Sequence, residues 1–194
     1  MSQLRLRYKC CFIGEFGVGK TCFIRSVLGI PLDNVQATLG IDFFTTSVCV
    51  HDSLVHITLW DTAGAERYRS LMHSYVRDSD IVFIMYDLTN PAAMRSVQRC
   101  FRDLERIDPP VVAVLGTKAD LGHAAHDVYG TIEPWSRQRW KIVTGTCSSL
   151  RPDANKEILK RCLKRLVPAS NVRQAKPTVV HLAATEPAPT TCCA

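Results

Sequence analysis

Short apolar runs alternate with segments of helical periodicity along the first 167 residues of the chain. The runs predicted as strands are Tyr8–Ile13, Phe43–His51, Leu54–Trp60, Ile81–Tyr86, Val111–Leu115 and Lys141–Val143. The segments predicted as helices are Lys20–Leu28, Ala92–Ile107, Trp135–Trp140 and Asp153–Leu166. Strands that alternate with helices are typical of a mostly parallel sheet covered on both faces, with ligands bound at the carboxyl ends of the strands.

The pattern changes after Val167. Residues 168–194 are rich in Ala, Thr and Pro and have no apolar periodicity. A segment of this composition cannot bury enough apolar surface to fold by itself. We therefore expect a domain over residues 6–167 and a flexible tail over residues 168–194.

Composition limits the class of protein. The 194 residues suit one domain with a short extension, and the first residues do not have the pattern of a secretory signal. No apolar run approaches the roughly 18 residues needed to span a bilayer. Nine cysteines could indicate a disulfide framework, but seven fall in strand-like and helix-like segments without zinc-type CxxC pairs. We expect these seven to be reduced and mostly buried, as in a cytosolic protein.

The net charge of +6 is concentrated at the C-terminal end. From Arg151 onward there are eight basic residues and three acidic ones. Nucleic acid is one class of partner for such a patch, but no interleaved aromatic residues support it. An anionic membrane surface is the partner that we expect instead.

The segment GEFGVGKT, residues 14–21, is a complete GxxxxGK[ST] phosphate loop between a predicted strand and a predicted helix. Its amides and the helix N-terminus can bind phosphate oxygens, while the Lys20 ammonium can bridge two phosphates. The Thr21 hydroxyl can bind Mg²⁺. The candidate phosphate-binding residues are Gly17, Val18, Gly19, Lys20 and Thr21, with Gly64 from the next motif.

A second motif, DTAG, follows the third predicted strand. The Asp61 carboxylate can hold Mg²⁺, and the Gly64 amide can approach a terminal phosphate. An N-cap of the following segment is the alternative role for Asp61.

A third motif, TKAD, follows the strand Val111–Leu115. The Asp120 carboxylate can accept hydrogen bonds from the exocyclic amine and the ring N–H of guanine, a pattern that adenine lacks. The Lys118 side chain can lie over the base. A P-loop kinase is a poorer interpretation, because no lid of clustered arginines is evident and TKAD fits a guanine protein.

With these motifs the chain resembles a Ras-superfamily GTPase, specifically of the Rab family, over about residues 7–167. The resemblance rests on GEFGVGKT, QATLGIDFF, LWDTAGAERYRSLMHSYVRDSD and TKADL, of which QATLGIDF and SYVRDS most resemble the Rabs of Golgi and retrograde traffic. It implies an α/β fold, the P-loop NTPase G domain, with a mixed, mostly parallel six-stranded sheet and helices on both faces.

The resemblance also implies a mechanism. Switch I, around Leu32–Phe43, and switch II, around Ala63–Val76, order with GTP and relax with GDP, and Thr38 binds Mg²⁺ and senses the γ-phosphate. The implied ligands are GTP, GDP and Mg²⁺. The implied partners are effectors at the two switches, an exchange factor and a GTPase-activating protein. The Ser148 amide, with Thr117, falls among the guanine-binding positions.

Four residues depart from the family pattern. Ala65 replaces the glutamine that orients the attacking water, so no catalytic residue is assigned and slow hydrolysis is expected. Phe16 occupies a small-residue position on the path of an activator's arginine. Thr117 replaces the usual asparagine, and Leu32 replaces the aromatic residue that packs on guanine. A GTP-bound scaffold that does not hydrolyse is therefore the alternative to a cycling switch.

Cys192 and Cys193 end the sequence as CCA, which is not a CaaX box. A chance cysteine pair on a disordered tail is the alternative to the Rab pattern of two geranylgeranyl groups. Two lipid chains anchor a protein firmly where one is marginal. The resemblance thus implies prenylation and escort proteins as partners. It also implies a location in the cytosol and on the cytoplasmic face of internal membranes, such as the Golgi.

Overall fold

The computed structural model describes residues 7–51, 53–64, 69–122, 127–136 and 140–167. The strands are β1 (Arg7–Ile13), β2 (Ile41–Val50), β3 (Ser53–Thr62), β4 (Ile81–Asp87), β5 (Val111–Thr117) and β6 (Lys141–Thr146). The helices are α1 (Lys20–Leu28), α2 (Arg69–Val76), α3 (Ala93–Leu104), α4 (Val128–Ser136) and α5 (Pro152–Leu166).

The six strands form one sheet in the order β2-β3-β1-β4-β5-β6. Strands β2 and β3 pair antiparallel as a hairpin, and the other four pairings are parallel. Phe12 on β1 lies opposite Asp61 of β3 on one side and Phe83 of β4 on the other. The mixed, mostly parallel six-stranded sheet predicted from the sequence is confirmed, and its parallel strands end at one edge.

Hydrophobic side chains cover both faces of the sheet. On one face Phe12 stacks on Phe83 with ring centroids 4.5 Å apart, and residues of α1 and α5 join the same cluster. On the other face residues of α3 and α4 pack together, with the rings of Phe101 and Trp135 4.9 Å apart. The predicted helices on both faces are therefore confirmed.

The fourth helix differs from the prediction. Trp135–Trp140 was predicted as a helix entered through Glu133-Pro134, but α4 runs from Val128 to Ser136 and contains Pro134 near its end. Asp127 supplies the start, since its Oδ1 accepts a hydrogen bond of 2.8 Å from the amide of Gly130. The prediction was wrong because Gly130 and Pro134 are poor helix formers, and packing of Ile132 and Trp135 outweighs their propensity.

The structure also contains α2, which the apolar pattern did not predict. Among the described residues, no helix has both the length and the apolar character needed to cross a bilayer. None of the seven cysteines in the described part of the chain forms a disulfide, as predicted. Four of these are buried and Cys49 is exposed. Burial raises the pKa of Cys11 to about 12, which keeps this thiol protonated and unreactive.

Candidate functional site

The loop between β1 and α1 turns sharply at three glycines. Gly14 has a φ of 145°, and a Cβ there would collide with the main chain of Met85. Gly17 and Gly19 have φ values of 73° and 95°, which side chains other than glycine rarely adopt. Gly19 is also the residue from which α1 begins. The loop thus delivers the N-terminus of α1, with its unpaired amides, to the carboxyl edge of the sheet.

Lys20, the first residue of α1, points back under this loop. Its side chain is buried, and Nζ donates hydrogen bonds to the carbonyl oxygens of Gly14 at 3.0 Å and Glu15 at 2.9 Å. Burial lowers the pKa of Lys20 to about 8, although the charge of Asp61 acts in the opposite direction. An ammonium held in this way is stabilised by an anionic ligand.

A second cluster of polar side chains lies beside the phosphate loop and consists of Thr21, Thr38 and Asp61. The Thr21 hydroxyl donates to Oδ2 of Asp61 at 2.6 Å, and the Thr38 hydroxyl donates to the same oxygen at 3.2 Å. The two hydroxyl oxygens are 3.1 Å apart. Three separate segments, namely α1, the connection before β2 and the end of β3, therefore bring their oxygen atoms to one point.

The second carboxylate oxygen of Asp61 is buried, with no hydrogen-bond partner among the described residues. Burial raises the pKa of Asp61, while the Thr21 hydrogen bond and the Lys20 charge oppose that shift. A buried carboxylate oxygen with two neighbouring hydroxyls is a donor set that suits a hard cation such as Mg²⁺. In the described part of the chain no cluster of three or more His, Cys, Asp or Glu could hold a metal ion. A cation here would bind the Asp61 carboxylate, with phosphate oxygens as further ligands.

Gly64 packs closely against the phosphate loop. A Cβ at this position would lie 2.5 Å from Nζ of Lys20 and would also collide with the main chain of Glu15. Glycine is thus required where the end of β3 approaches the phosphate loop.

Phe16 lies at the tip of the same loop with 68% of its surface exposed. It lines a cavity of ≈ 250 Å³ that includes Lys20, Thr21 and Thr38. It also lines a neighbouring cavity of ≈ 310 Å³ bounded by residues of α2 and α3, such as Tyr75. An aromatic side chain therefore occupies the approach to the phosphate loop.

The strand β5 ends at the other side of the site. The buried Thr117 hydroxyl lies 2.6 Å from the carbonyl oxygen of Val18 and 2.9 Å from that of Tyr86. This hydroxyl has one hydrogen for two acceptors. It ties the phosphate loop to the ends of β4 and β5.

Lys118 follows in a left-handed conformation with a φ of 60°. Its Nζ forms an ion pair of 2.7 Å with Oδ2 of Asp87 at the end of β4. Burial raises the pKa of Asp87, but hydrogen bonds from Lys118 and Thr89 outweigh that effect and lower it overall. Asp87 is not among the residues predicted from the sequence, although it ends an apolar strand as Asp61 does.

Asp120 is exposed, and its carboxylate is held by Ser148. The Ser148 hydroxyl donates to Oδ1 of Asp120 at 2.5 Å and lowers the pKa of that carboxyl group. The sequence predicts a role only for the backbone amide of Ser148. The contact of its hydroxyl with Asp120 was not anticipated.

The model of the Ras family matches residues 9–166, which is most of the chain. The chain belongs to the Ras family. It is thus a Ras-superfamily small GTPase, a class of GTP-binding switch proteins. Ras-type GTPases in general bind GTP or GDP with Mg²⁺ and interact with effectors, exchange factors and GTPase-activating proteins.

Several residues named from the sequence remain predictions. Ala65, Cys192 and Cys193 lie outside the described residues. Leu32 is half-buried on the segment between α1 and β2, and its contact with the base stays a prediction. The other candidates fall into two groups at the same edge of the sheet, one around Lys20 and Asp61 and one around Lys118 and Asp120.

Proposed function

We propose that this small GTPase binds guanine nucleotide through these two groups of residues. The phosphate-binding residues are Gly17, Val18, Gly19, Lys20, Thr21 and Gly64. The guanine-binding residues are Thr117, Lys118, Asp120 and Ser148, and the Mg²⁺ ligands are Thr21, Thr38 and Asp61. The observation that carries the proposal is the pair of buried opposite charges, Lys20 and Asp61, placed under a glycine loop at a helix N-terminus.

Each group has a distinct task. Lys20 donates to phosphate oxygens from a site that its own burial makes favourable for an anion. Asp61, with Thr21 and Thr38, would hold Mg²⁺, which would neutralise phosphate charge when bound. Because the Thr38 hydroxyl and the Thr21 hydroxyl share one oxygen of Asp61, the segment before β2 is tied to the phosphate site. A change in phosphate occupancy can therefore alter the order of switch I.

Extraction of the bound nucleotide tests this proposal. Protein purified from cells should release GDP or GTP on denaturation, in about one equivalent per chain. Lys20→Ala should carry much less nucleotide than the wild type, whereas Lys164→Ala should carry as much as the wild type, because Lys164 is an exposed lysine on α5. Equal nucleotide content in both variants would contradict the proposed phosphate site.

We further propose that hydrolysis is slow and that the GTP-bound form is long-lived. Two observations favour this second possibility, a binding module that holds GTP. Ala65 cannot orient water, and the exposed Phe16 lies at the cavity around Lys20. Single-turnover hydrolysis with and without an activating protein distinguishes a cycling switch from such a scaffold. Extracted nucleotide that is mostly GTP would favour the scaffold, and GDP would favour the cycling switch.

We also propose a Rab-type role, in which the GTP-bound domain, residues 6–167, recruits effectors to internal membranes and residues 168–194 tether it there. The exposed apolar side chains of Leu39 and Phe43 on switch I suit an effector surface. Prenyl groups on Cys192 and Cys193 would supply the anchor, assisted by the basic residues of α5.

Cell fractionation tests the anchor. Replacement of both cysteines by serine should release the protein to the cytosol, and replacement of one should release part of it. A double variant that stayed on membranes would contradict the lipid anchor and would require a protein receptor.

A further inference from the structure

Asn155 lies inside the protein at the first turn of α5, with none of its surface exposed. Its side-chain Nδ2 donates to the carbonyl oxygen of Ser148 at 2.8 Å and to Oγ of Ser26 on α1 at 3.0 Å. One amide therefore connects two helices to the loop that follows β6.

The orientation of this amide is fixed by its acceptors. A rotation of the amide by half a turn would place Oδ1 against the Ser148 carbonyl oxygen, so that two acceptors would face each other. In the orientation present, Oδ1 is buried without a hydrogen-bond partner among the described residues. An unpartnered buried oxygen is unfavourable, and its presence indicates that the donor contacts of Asn155 outweigh that cost.

Ser148 is in turn held at both ends. Its carbonyl oxygen accepts from Asn155 and from the amide of Arg151 at 3.0 Å. Its hydroxyl oxygen accepts from the amide of Leu150 at 3.2 Å and donates to Oδ1 of Asp120 at 2.5 Å. Since the Leu150 amide can act only as a donor, the hydroxyl hydrogen is directed to Asp120.

The contacts thus form one chain, Ser26 to Asn155 to Ser148 to Asp120. The first three residues are buried and the last is exposed at the candidate base site. A continuous chain of hydrogen bonds of this kind restricts the rotation of its exposed end.

We propose that Asn155 is a positioning residue for guanine, which acts by holding Ser148 so that the Asp120 carboxylate is fixed in the orientation that receives the base. The inference rests on the proposed function, in which Asp120 reads guanine. It extends that site to a residue on α5 that lies beneath the base-reading loop.

The selectivity between guanine and hypoxanthine separates this role from a merely structural one. Hypoxanthine lacks the exocyclic amine of guanine, which would donate a hydrogen bond to one oxygen of Asp120. A disordered carboxylate should therefore lose affinity for GDP more than for IDP. A loss of stability alone would leave the ratio of the two affinities unchanged.

The test uses the full-length chain and measures the affinities of GDP and IDP for the wild type, Asn155→Ala and Ser26→Ala. Asn155→Ala should lower the ratio of the two affinities by about three- to tenfold, as expected for one lost hydrogen bond in a buried chain, and should speed GDP dissociation. Ser26→Ala is the matched control, because it removes the other acceptor of the same amide and keeps the contact with Ser148. Its ratio should fall clearly less than that of Asn155→Ala, because the contact of Asn155 with Ser148 remains, and an equal fall in both variants would count against the inference.

Coupling to Ser148 provides a second criterion. Ser148→Ala should lower the ratio by itself, and the double variant with Asn155→Ala should lower it no further. If Asn155→Ala does not fold, Asn155→Leu serves in its place, because leucine has a similar size and cannot donate a hydrogen bond to Ser148. A ratio unchanged in the folded Asn155 variant would overturn the inference. Equal binding of GDP and ADP by the wild type would instead overturn the proposed function.

Discussion

The Thr21 hydroxyl lies 2.6 Å from Oδ2 of Asp61, and this hydrogen bond joins two residues that are 40 positions apart in the chain. The bond connects the first turn of α1 to the end of β3. Parallel pairing of β1 with β3 makes it possible, because both strands end at the same edge of the sheet. The relative position of the two side chains is thus set by the fold before any ligand binds.

Thr21→Ala should weaken Mg²⁺-dependent binding of GDP by roughly tenfold or more, since it removes a charge-assisted hydrogen bond and a metal ligand together. The measurement is the GDP dissociation constant with Mg²⁺ and with excess chelator. In Thr21→Ala the GDP dissociation constants with Mg²⁺ and with chelator should be nearly equal, whereas in the wild type they should differ. Thr45→Ala, on the exposed side of β2, is the control and should keep this difference. A full Mg²⁺ effect in Thr21→Ala would exclude Thr21 as a ligand.

The affinity for GDP should depend on pH through Lys20. Burial lowers the pKa of this group to about 8, so it is protonated below that pH and loses its charge above it. Bound phosphates favour the charged form, and binding above pH 8 therefore takes up a proton. Affinity should be constant from pH 6.5 to 7.5 and should fall as the pH rises from 8 to 9. Lys20→Arg, which stays charged, should have a flatter profile. A flat profile in the wild type would contradict this account.

Much of the fold follows from short apolar runs in the sequence. Strands β4 and β5 are buried on both faces and are predicted to within two residues, because continuous apolar runs mark such strands. The sequence does not predict the bounds of helix α4, because the residues in this segment favour different structures. Gly130 and Pro134 oppose a helix there, and packing decides in its favour.

The site divides in the same way. Sequence motifs predict Lys20, Asp61 and Asp120 as site residues, because phosphate loops and base-reading loops have fixed residue spacing. The ion pair of Lys118 with Asp87 depends on the register of β4 against β5, which places Asp87 opposite Thr117. Register is a property of the folded sheet, and no local pattern encodes it.

Hydrolysis should respond to residue 65. Ala65→Gln should raise the single-turnover rate by about ten- to a hundredfold, the range expected when one catalytic hydrogen bond is restored. The measurement is phosphate release from a preloaded GTP complex. An unchanged rate would show that another step limits hydrolysis.

The response of hydrolysis to an activating protein should depend on Phe16, and the same assay measures it. Phe16→Ser should raise the hydrolysis rate measured with an activating protein more than the rate measured without one. The reason is that the exposed Phe16 ring obstructs the approach of the activating protein. If the response to the activator did not improve, obstruction by Phe16 would be excluded.

Nucleotide retention should depend on Leu32. Leu32→Phe should slow GDP dissociation by at least about fivefold, because stacking of an aromatic ring on a base contributes about 1–3 kcal/mol. Stopped-flow release of a fluorescent GDP analogue gives the rate. Leu39→Phe, at an exposed position of the same segment, should not change it. A rate that Leu32→Phe leaves unchanged would place Leu32 away from the base.

The most direct test of the central claim is competition between GDP, ADP and XDP for the wild type and Asp120→Asn. The wild type should bind GDP about a thousandfold or more tightly than ADP, since a site built to hydrogen-bond one base rejects another base strongly. Asp120→Asn should lose affinity for GDP and gain it for XDP, because an amide can donate where the carboxylate only accepts. Similar affinities of the wild type for GDP and ADP, or a variant that still prefers GDP, would contradict the account.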